Sequence, residues 1–439
     1  MTAGMIEGGR LRRALLGTTA TVVLATALVG VAPTAVAADA RSQQWYLDAM
    51  GAEDIWKTAT GRGITVAVID TGVDPDTPSL KGKVLKGWDA SESKGDETDD
   101  YTGHGTTLAE IIVGSGTGGG LRGLAPDAKV IPYRVADTER QNEQAVNAFD
   151  IAEAIKAAVD SDARIINISM ASDYYSEEER EAVQYALQKG KLVFAGAGNN
   201  AKKGNKKQYP ASYPEVVAVA ATTQGGVVAD YSQHGEAIDL AAPGSKIPGY
   251  CDKSLAKYCV SDGTSFSSAL ASASAALIWS VHPDWTGSQV LRAMFESAGR
   301  GADWKPGTVS TKAGHGVIRP NAHINRGIGK PGDANISPLT NEPTGGAAAG
   351  SATPSTAPSA NPNPSASAST SADAPSATAS TQAPDGKSTS GAPVAGSSES
   401  AAGTESGGGG NPGVIIGAVA GVIVLAGVGV VIARRRRAA

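Results

Sequence analysis

Five short runs of apolar, largely β-branched residues, at 64–69, 129–133, 165–169, 192–197 and 216–221, constrain this chain more than any other feature. None shows the polar alternation of a strand with one face in water, so each reads as a strand buried on both sides. The segments between them supply the cover. Residues 145–159 and 177–189 carry apolar side chains at helical spacing, and Thr286 with Gln289 has the pattern of a capping box opening a helix over 289–297. Strand and helix in alternation predict an α/β domain over 61–330, with a mostly parallel central sheet covered by helices on both faces.

The ends of the chain follow other rules. Arg10, Arg12 and Arg13 precede an uncharged stretch to residue 32 and the small-residue site Ala35-Val36-Ala37, the layout of a secretory signal peptide over 1–37. Residues 413–433 carry no charge and as a helix would span the roughly 30 Å core of a bilayer. Arg434 to Arg437 follow in the tail 434–439, and such clusters stay on the cytoplasmic side. The expectation is a single-pass cell-membrane protein with most of its chain outside. An apolar stretch with a basic tail also closes cell-wall sorting signals, but those need an LPxTG-like motif, and residues 407–412 hold none. Residues 331–412 are mainly Ala, Ser, Thr, Pro and Gly, too poor in large apolar side chains to offset their ordering entropy, and are expected to be a disordered linker. Residues 38–60 form a short N-terminal extension ahead of the core.

The chain carries a net charge of −5 although four arginines sit in the tail, so its exported part is acidic. It lacks the basic face that a nucleic-acid partner requires. Cys251 and Cys259 lie among polar residues and would meet an oxidising environment, so they are expected to form one disulfide. His234, His282, His315 and His323 have no metal-ligand spacing. Lys202, Lys203, Lys206 and Lys207 read as a solvated loop.

Three motifs stand where strands end or helices begin. Asp70-Thr71-Gly72-Val73 follows the first apolar run, the end of a parallel strand where functional groups gather. Gly103-His104-Gly105-Thr106 opens a helical stretch, and glycine on both sides leaves the imidazole sterically open. Gly263-Thr264-Ser265-Phe266-Ser267-Ser268 leads into an alanine-rich helix, whose unpaired first-turn N–H groups would stabilise an oxyanion formed beside the serine. Singly, each has a plain structural explanation: a turn cap, a helix-start histidine, an N-cap.

Taken together, in the order Asp, His, Ser with the serine opening a helix, they resemble the subtilisin-like serine proteases. Ala197-Gly198-Asn199, the stretch from Tyr209-Pro210 to Ala221, and Ala241-Ala242-Pro243-Gly244 match further landmarks of that family. The resemblance implies the subtilisin-like three-layer fold and hydrolysis of protein or peptide substrates. It makes Ser265 the nucleophile, His104 its general base, Asp70 the residue that orients His104, and Asn199 an oxyanion donor. It also places Ser169, Met170 and Ala171 with Gly196, Ala197 and Gly198 around the pocket for the residue before the cleaved bond. No cofactor is implied; members often bind structural calcium, but no loop here has a carboxylate pattern that assigns ligands.

Within the family, Gln44-Trp45-Tyr46-Leu47-Asp48-Ala49-Met50 resembles the N-terminal extension of the mycosins, proteases associated with type VII secretion in actinobacteria. They share the signal peptide, proline-rich linker, membrane helix and short tail, which implies a link to type VII secretion machinery. The chain departs from the common subtilisin pattern at three places. Ser267-Ser268-Ala269-Leu270 stands where Ala-Ser-Pro-His is usual, Glu110 replaces a small residue six after His104, and Ala171 replaces a glycine of the pocket strand. The added methyl implies slow or narrow cleavage, and the few residues before the core leave no room for a chaperone propeptide.

Overall fold

The computed structural model describes residues 40–91, 93–136, 148–301, 304–305 and 307–344. The signal peptide, the membrane span, the tail and all but the start of the linker lie outside the described residues. Strand β1 (Thr65–Asp70) has the alternation that decides everything around it. Val66 and Val68 point into one apolar core, while Ala67 and Ile69 point into a second on the opposite face. Both faces are therefore covered.

The sheet has seven strands, ordered β2-β3-β1-β4-β5-β6-β7, and every pairing in it is parallel. The five apolar runs become β1, β3 (Lys129–Arg134), β4 (Ile165–Ile168), β5 (Leu192–Gly196) and β6 (Val217–Thr222). Two strands were not legible as runs: β2 (Trp88–Asp89) and β7 (Ile238–Pro243). Because β1 has β3 on one side and β4 on the other, the strand order reverses between β1 and β4. A crevice forms beyond the carboxyl ends of strands at such a switch point.

On the first face lie α3 (His104–Val113), α6 (Thr264–Val281) and α7 (Gly287–Ser297). The short α1 (Trp45–Met50) and α2 (Ala52–Ile55) of the N-terminal extension pack into the same core through Tyr46, Leu47, Met50 and Ile55. The second face is covered by α4 (Ala148–Val159) and α5 (Glu177–Gln188). The capping box is present at Thr286 and Gln289, although its helix begins at Gly287, two residues before the expected start. A last turn, α8 (Pro320–Ile324), follows.

Among the described residues α6 is the one helix long and apolar enough to cross a membrane, yet 83% of it is buried within the domain. Its serines explain how a core helix can be polar. Ser268 and Ser272, one turn apart, donate to Asn167 Oδ1 on β4 at 2.7 and 3.2 Å, and Ser267 donates to the carbonyl oxygens of Ala242 and Pro243 on β7. These three buried hydroxyls have strand partners, so the helix is pinned to the sheet in one register, while buried Ser274 donates to the Leu270 carbonyl oxygen of its own helix at 2.8 Å.

Residues 332–344, which composition places in the linker, dock beside α7. Thr286 Oγ1 donates to the Ala334 carbonyl oxygen at 2.8 Å, and Ser337 is fully buried. Leu339 packs against the first core. A few apolar residues in a small-residue stretch are enough to extend the folded domain past residue 330.

Candidate active site

Asp70 is the last residue of β1 and fully buried; His104 is the first residue of α3. His104 Nδ1 stands 2.6 Å from Asp70 Oδ1, which also accepts the Thr71 amide at 2.9 Å. Close approach of helix to strand makes this contact. A Cβ on residue 105 would lie 2.1 Å from the Gly72 carbonyl oxygen. Gly105 therefore does something other than keep the imidazole open: it lets the first turn of α3 press against the Asp70 turn.

Asp100 holds that turn in place. Its Oδ1 accepts from Gly103 N at 2.8 Å and Thr71 Oγ1 at 2.8 Å, and its Oδ2 accepts from Thr106 N at 2.8 Å. Gly103 N and Thr106 N are amides that a helix start leaves without partners. Burial disfavours the imidazolium, but the charge and hydrogen bond of Asp70, with the charge of Asp100, outweigh it and hold the His104 pKa above its ordinary value.

Ser265 is the second residue of α6, where first-turn N–H groups lack intrahelical acceptors. Its Oγ donates to the Ser169 carbonyl oxygen at 3.4 Å, so in this resting state the hydroxyl leans on the end of β4. His104 lines the same cavity. Asn199 follows β5, and its Oδ1 accepts from Thr264 N at 2.9 Å and Thr264 Oγ1 at 3.0 Å. With that oxygen engaged, the amide NH₂ is the end left for the cavity. Thr264 Oγ1 also accepts Gly198 N at 3.1 Å. Gly198 has φ 107°, a conformation that suits glycine, and a Cβ there would meet Gln208 Cγ at 2.6 Å. Replacing Asn199 with alanine is expected to lower kcat by about 10²- to 10³-fold with KM changed little, because the donor acts on charge present only in the transition state. Steady-state kinetics on a peptide substrate check this, and a loss confined to KM would contradict it.

A cavity of about 390 Å³ joins these groups. His104, Ser265 and Asn199 line it, as do Ser169, Met170, Ala171, Gly196 and Gly198 of the expected pocket. Ala197 does not. Its side chain is buried in the second core, because alternate residues at the end of β5 face opposite sides of the sheet. Gln208, not singled out in the sequence, lines the cavity instead and is only 8% exposed. Replacing Gln208 with glycine should enlarge the pocket and raise kcat/KM for peptides with a large aromatic residue before the cleaved bond by about tenfold relative to alanine. An unchanged preference across a matched peptide series would count against this placement.

The remaining expectations fall outside the cavity. Cys251 and Cys259 are bonded to each other, closing the turn of a small hairpin of β8 (Ile247–Tyr250) and β9 (Tyr258–Ser261). Lys206 pairs with Asp173 at 2.8 Å and Lys202 with Asp230 at 3.6 Å, both lysines in solvent. Among the described residues no group of three or more His, Cys, Asp or Glu is placed to hold a metal ion.

The sequence profile of the Subtilase family matches residues 61–316, more than half of the chain. A thermophilic serine proteinase of a Bacillus strain is 37% identical over 226 residues, which take in 51% of this chain and 54% of the relative. The chain thus matches about half the length of that relative. Thermitase of Thermoactinomyces vulgaris is 33% identical over 277 residues, 61% of this chain and 94% of thermitase. Among solved structures, the mycosin MycP1, a serine protease and essential component of the type VII (ESX-1) secretion system, aligns with a TM-score of 0.55 at 30% identity, covering 67% of this chain and 90% of MycP1. With the sheet order and the catalytic-type cavity already in view, this chain belongs to the subtilase family of serine proteases and is of the mycosin type within it.

Proposed function

We propose that the chain is a membrane-tethered extracellular serine endopeptidase that processes a limited set of secreted proteins. The observation that carries the chemistry is the 2.6 Å contact of His104 Nδ1 with buried Asp70, beside a cavity that also holds Ser265 and Asn199. Ser265 Oγ attacks the scissile carbonyl while His104 Nε2 takes its proton, and Asp70 holds the ring and stabilises the imidazolium. The Asn199 amide and the Ser265 N–H bind the oxyanion. His104 then protonates the leaving amine, and water releases the acyl group by the same route. The Ala171 methyl in the cavity wall favours a narrow substrate range.

The mycosin likeness supports a working place beside type VII secretion machinery, and the uncharged segment 413–433 with its arginines supports a membrane anchor. A second role follows from the description of MycP1 as an essential component of its secretion system: a scaffold for a membrane complex, with proteolysis secondary. Comparing secretion in cells with Ser265→Ala against cells lacking the gene separates the two. Equal loss in both makes proteolysis primary, whereas secretion kept in the point variant alone overturns that order.

A further inference from the structure

Glu110 lies on α3 two turns beyond His104 and is fully buried. Its carboxylate accepts from Tyr258 OH at 2.6 Å, Tyr250 OH at 3.0 Å and the Leu121 amide at 3.3 Å. Burying a carboxylate is costly unless its oxygens are hydrogen-bonded. Here each oxygen holds one phenol, and the two phenols come from opposite strands of the disulfide hairpin. Tyr250 ends β8 and Tyr258 opens β9, their rings stack at 4.5 Å, and the Cys251–Cys259 bond closes the hairpin one residue beyond each. Burial pushes the Glu110 pKa up to about 7 against the lowering effect of these donors.

The same hairpin reaches the histidine turn. The Tyr250 amide donates to Thr107 Oγ1 at 2.9 Å, and Thr107 Oγ1 donates to the Gly103 carbonyl oxygen at 2.6 Å. A Cβ on Gly103 would meet Tyr250 Cβ at 2.9 Å. Thus α3 is bracketed at both ends by one hairpin, at Glu110 below and beside His104 above. The N-terminal extension grips the start of that hairpin, where Trp45 Nε1 shares its hydrogen between the carbonyl oxygens of Ser245 and Lys246, each at 3.2 Å.

We propose that Glu110 is a positioning residue for His104: by holding Tyr250 and Tyr258 it locks the disulfide hairpin onto the first turn of α3 and so fixes the imidazole against Asp70. The proposal rests on the serine protease reading, because it assigns Glu110 a part in that reaction. A purely structural acid would alter thermal stability and leave the chemistry of the folded enzyme unchanged.

The test measures, on the purified full chain, the rate at which a fluorophosphonate labels Ser265, kcat and KM on a peptide substrate, and the far-downfield proton resonance of the Asp70–His104 hydrogen bond. For Glu110→Ala, labelling and kcat are expected to fall about 10- to 100-fold, with KM within about twofold and the resonance weakened, as for a catalytic group displaced by part of an ångström. Glu110→Gln, which still accepts from one phenol, should stay within about threefold of the parent. Where Glu110→Ala does not fold, Tyr250→Phe with Tyr258→Phe keeps both rings, removes both hydrogen bonds and should show the same loss. Folded variants that label at the parental rate, or that lose activity only through KM, overturn the proposal. A parent chain that fails to label overturns the hydrolase reading and this proposal with it, whereas a parent that labels and variants that match it overturn this proposal alone.

Discussion

Replacing Ser265 with alanine is expected to lower kcat by about a million-fold while KM stays near its parental value, the scale seen when a subtilisin loses its nucleophile. The reason is geometric. Ser265 is the group that places an oxygen nucleophile at the N-terminus of α6, beside the Asn199 amide and across the cavity from His104. Its loss removes the acyl-enzyme route altogether. What remains is water attack assisted by the oxyanion donors, which the substitution leaves in place. Of the cavity-lining residues Ser169, Met170, Ala171 and Gln208, the substitution reaches only Ser169, through one long hydrogen bond to its carbonyl oxygen at 3.4 Å, so KM is expected to move little. Progress curves over hours, on enzyme purified free of host proteases, would measure the residual rate. A loss of only a few fold would mean that another residue carries the attack.

The second large effect is expected at Asp70, where asparagine should cost about 10⁴-fold in kcat. Asp70 Oδ1 takes the Thr71 amide at 2.9 Å as well as His104 Nδ1 at 2.6 Å, and Oδ2 has no hydrogen-bond partner among the described residues. Asparagine has two ways to sit there and both fail. With its oxygen toward Thr71 and His104, its NH₂ is buried without an acceptor. With its NH₂ toward His104, it confronts the Thr71 N–H and forces the imidazole to carry its proton on Nε2, the nitrogen that must accept one from Ser265. In either pose the negative charge that stabilises the imidazolium is gone. The sign of the pH effect follows. Asp70 raises the His104 pKa, and the base works in its neutral form. The acid limb of kcat/KM in the parent should therefore have its midpoint above the ordinary 6.5, and in Asp70→Asn the midpoint should move to lower pH. A limb that stays in place would show that Asp70 does not set the charge on His104.

The five central strands were legible because each is a short, mainly apolar run that buries both faces, although Asn167 stands inside β4. The others lacked that signal. In β7, Asp239 interrupts the run, yet its Oδ2 accepts the Ala218 amide at 2.9 Å where β6 and β7 shift register, and burial pushes its pKa up to about 7. A half-buried acid serving a bulge cannot be told from a surface acid by pattern. The β8–β9 hairpin contains Pro248 and Gly249 and shows no alternation, so only its two cysteines marked it.

The candidate triad was legible because three short motifs coincide with element boundaries in one order. Its supports were not. Thr264 reaches Asn199 across 65 residues of chain, and Asp100 looks like a turn residue until its carboxylate is found on the amides of α3. Gln208 gives no local sign of lining the cavity. Glu110 was visible as an oddity, and only the hairpin folded over it shows what it holds.

Covalent labelling asks whether Ser265 is a nucleophile activated by His104 and Asp70. The intact chain would be treated with a fluorophosphonate and digested, and the modified residue located by mass spectrometry. One adduct is expected, on Ser265, with its formation lost in Ser265→Ala and slowed in Asp70→Asn. A folded chain in which Ser265 stays unmodified while a known serine protease in the same tube reacts would contradict it.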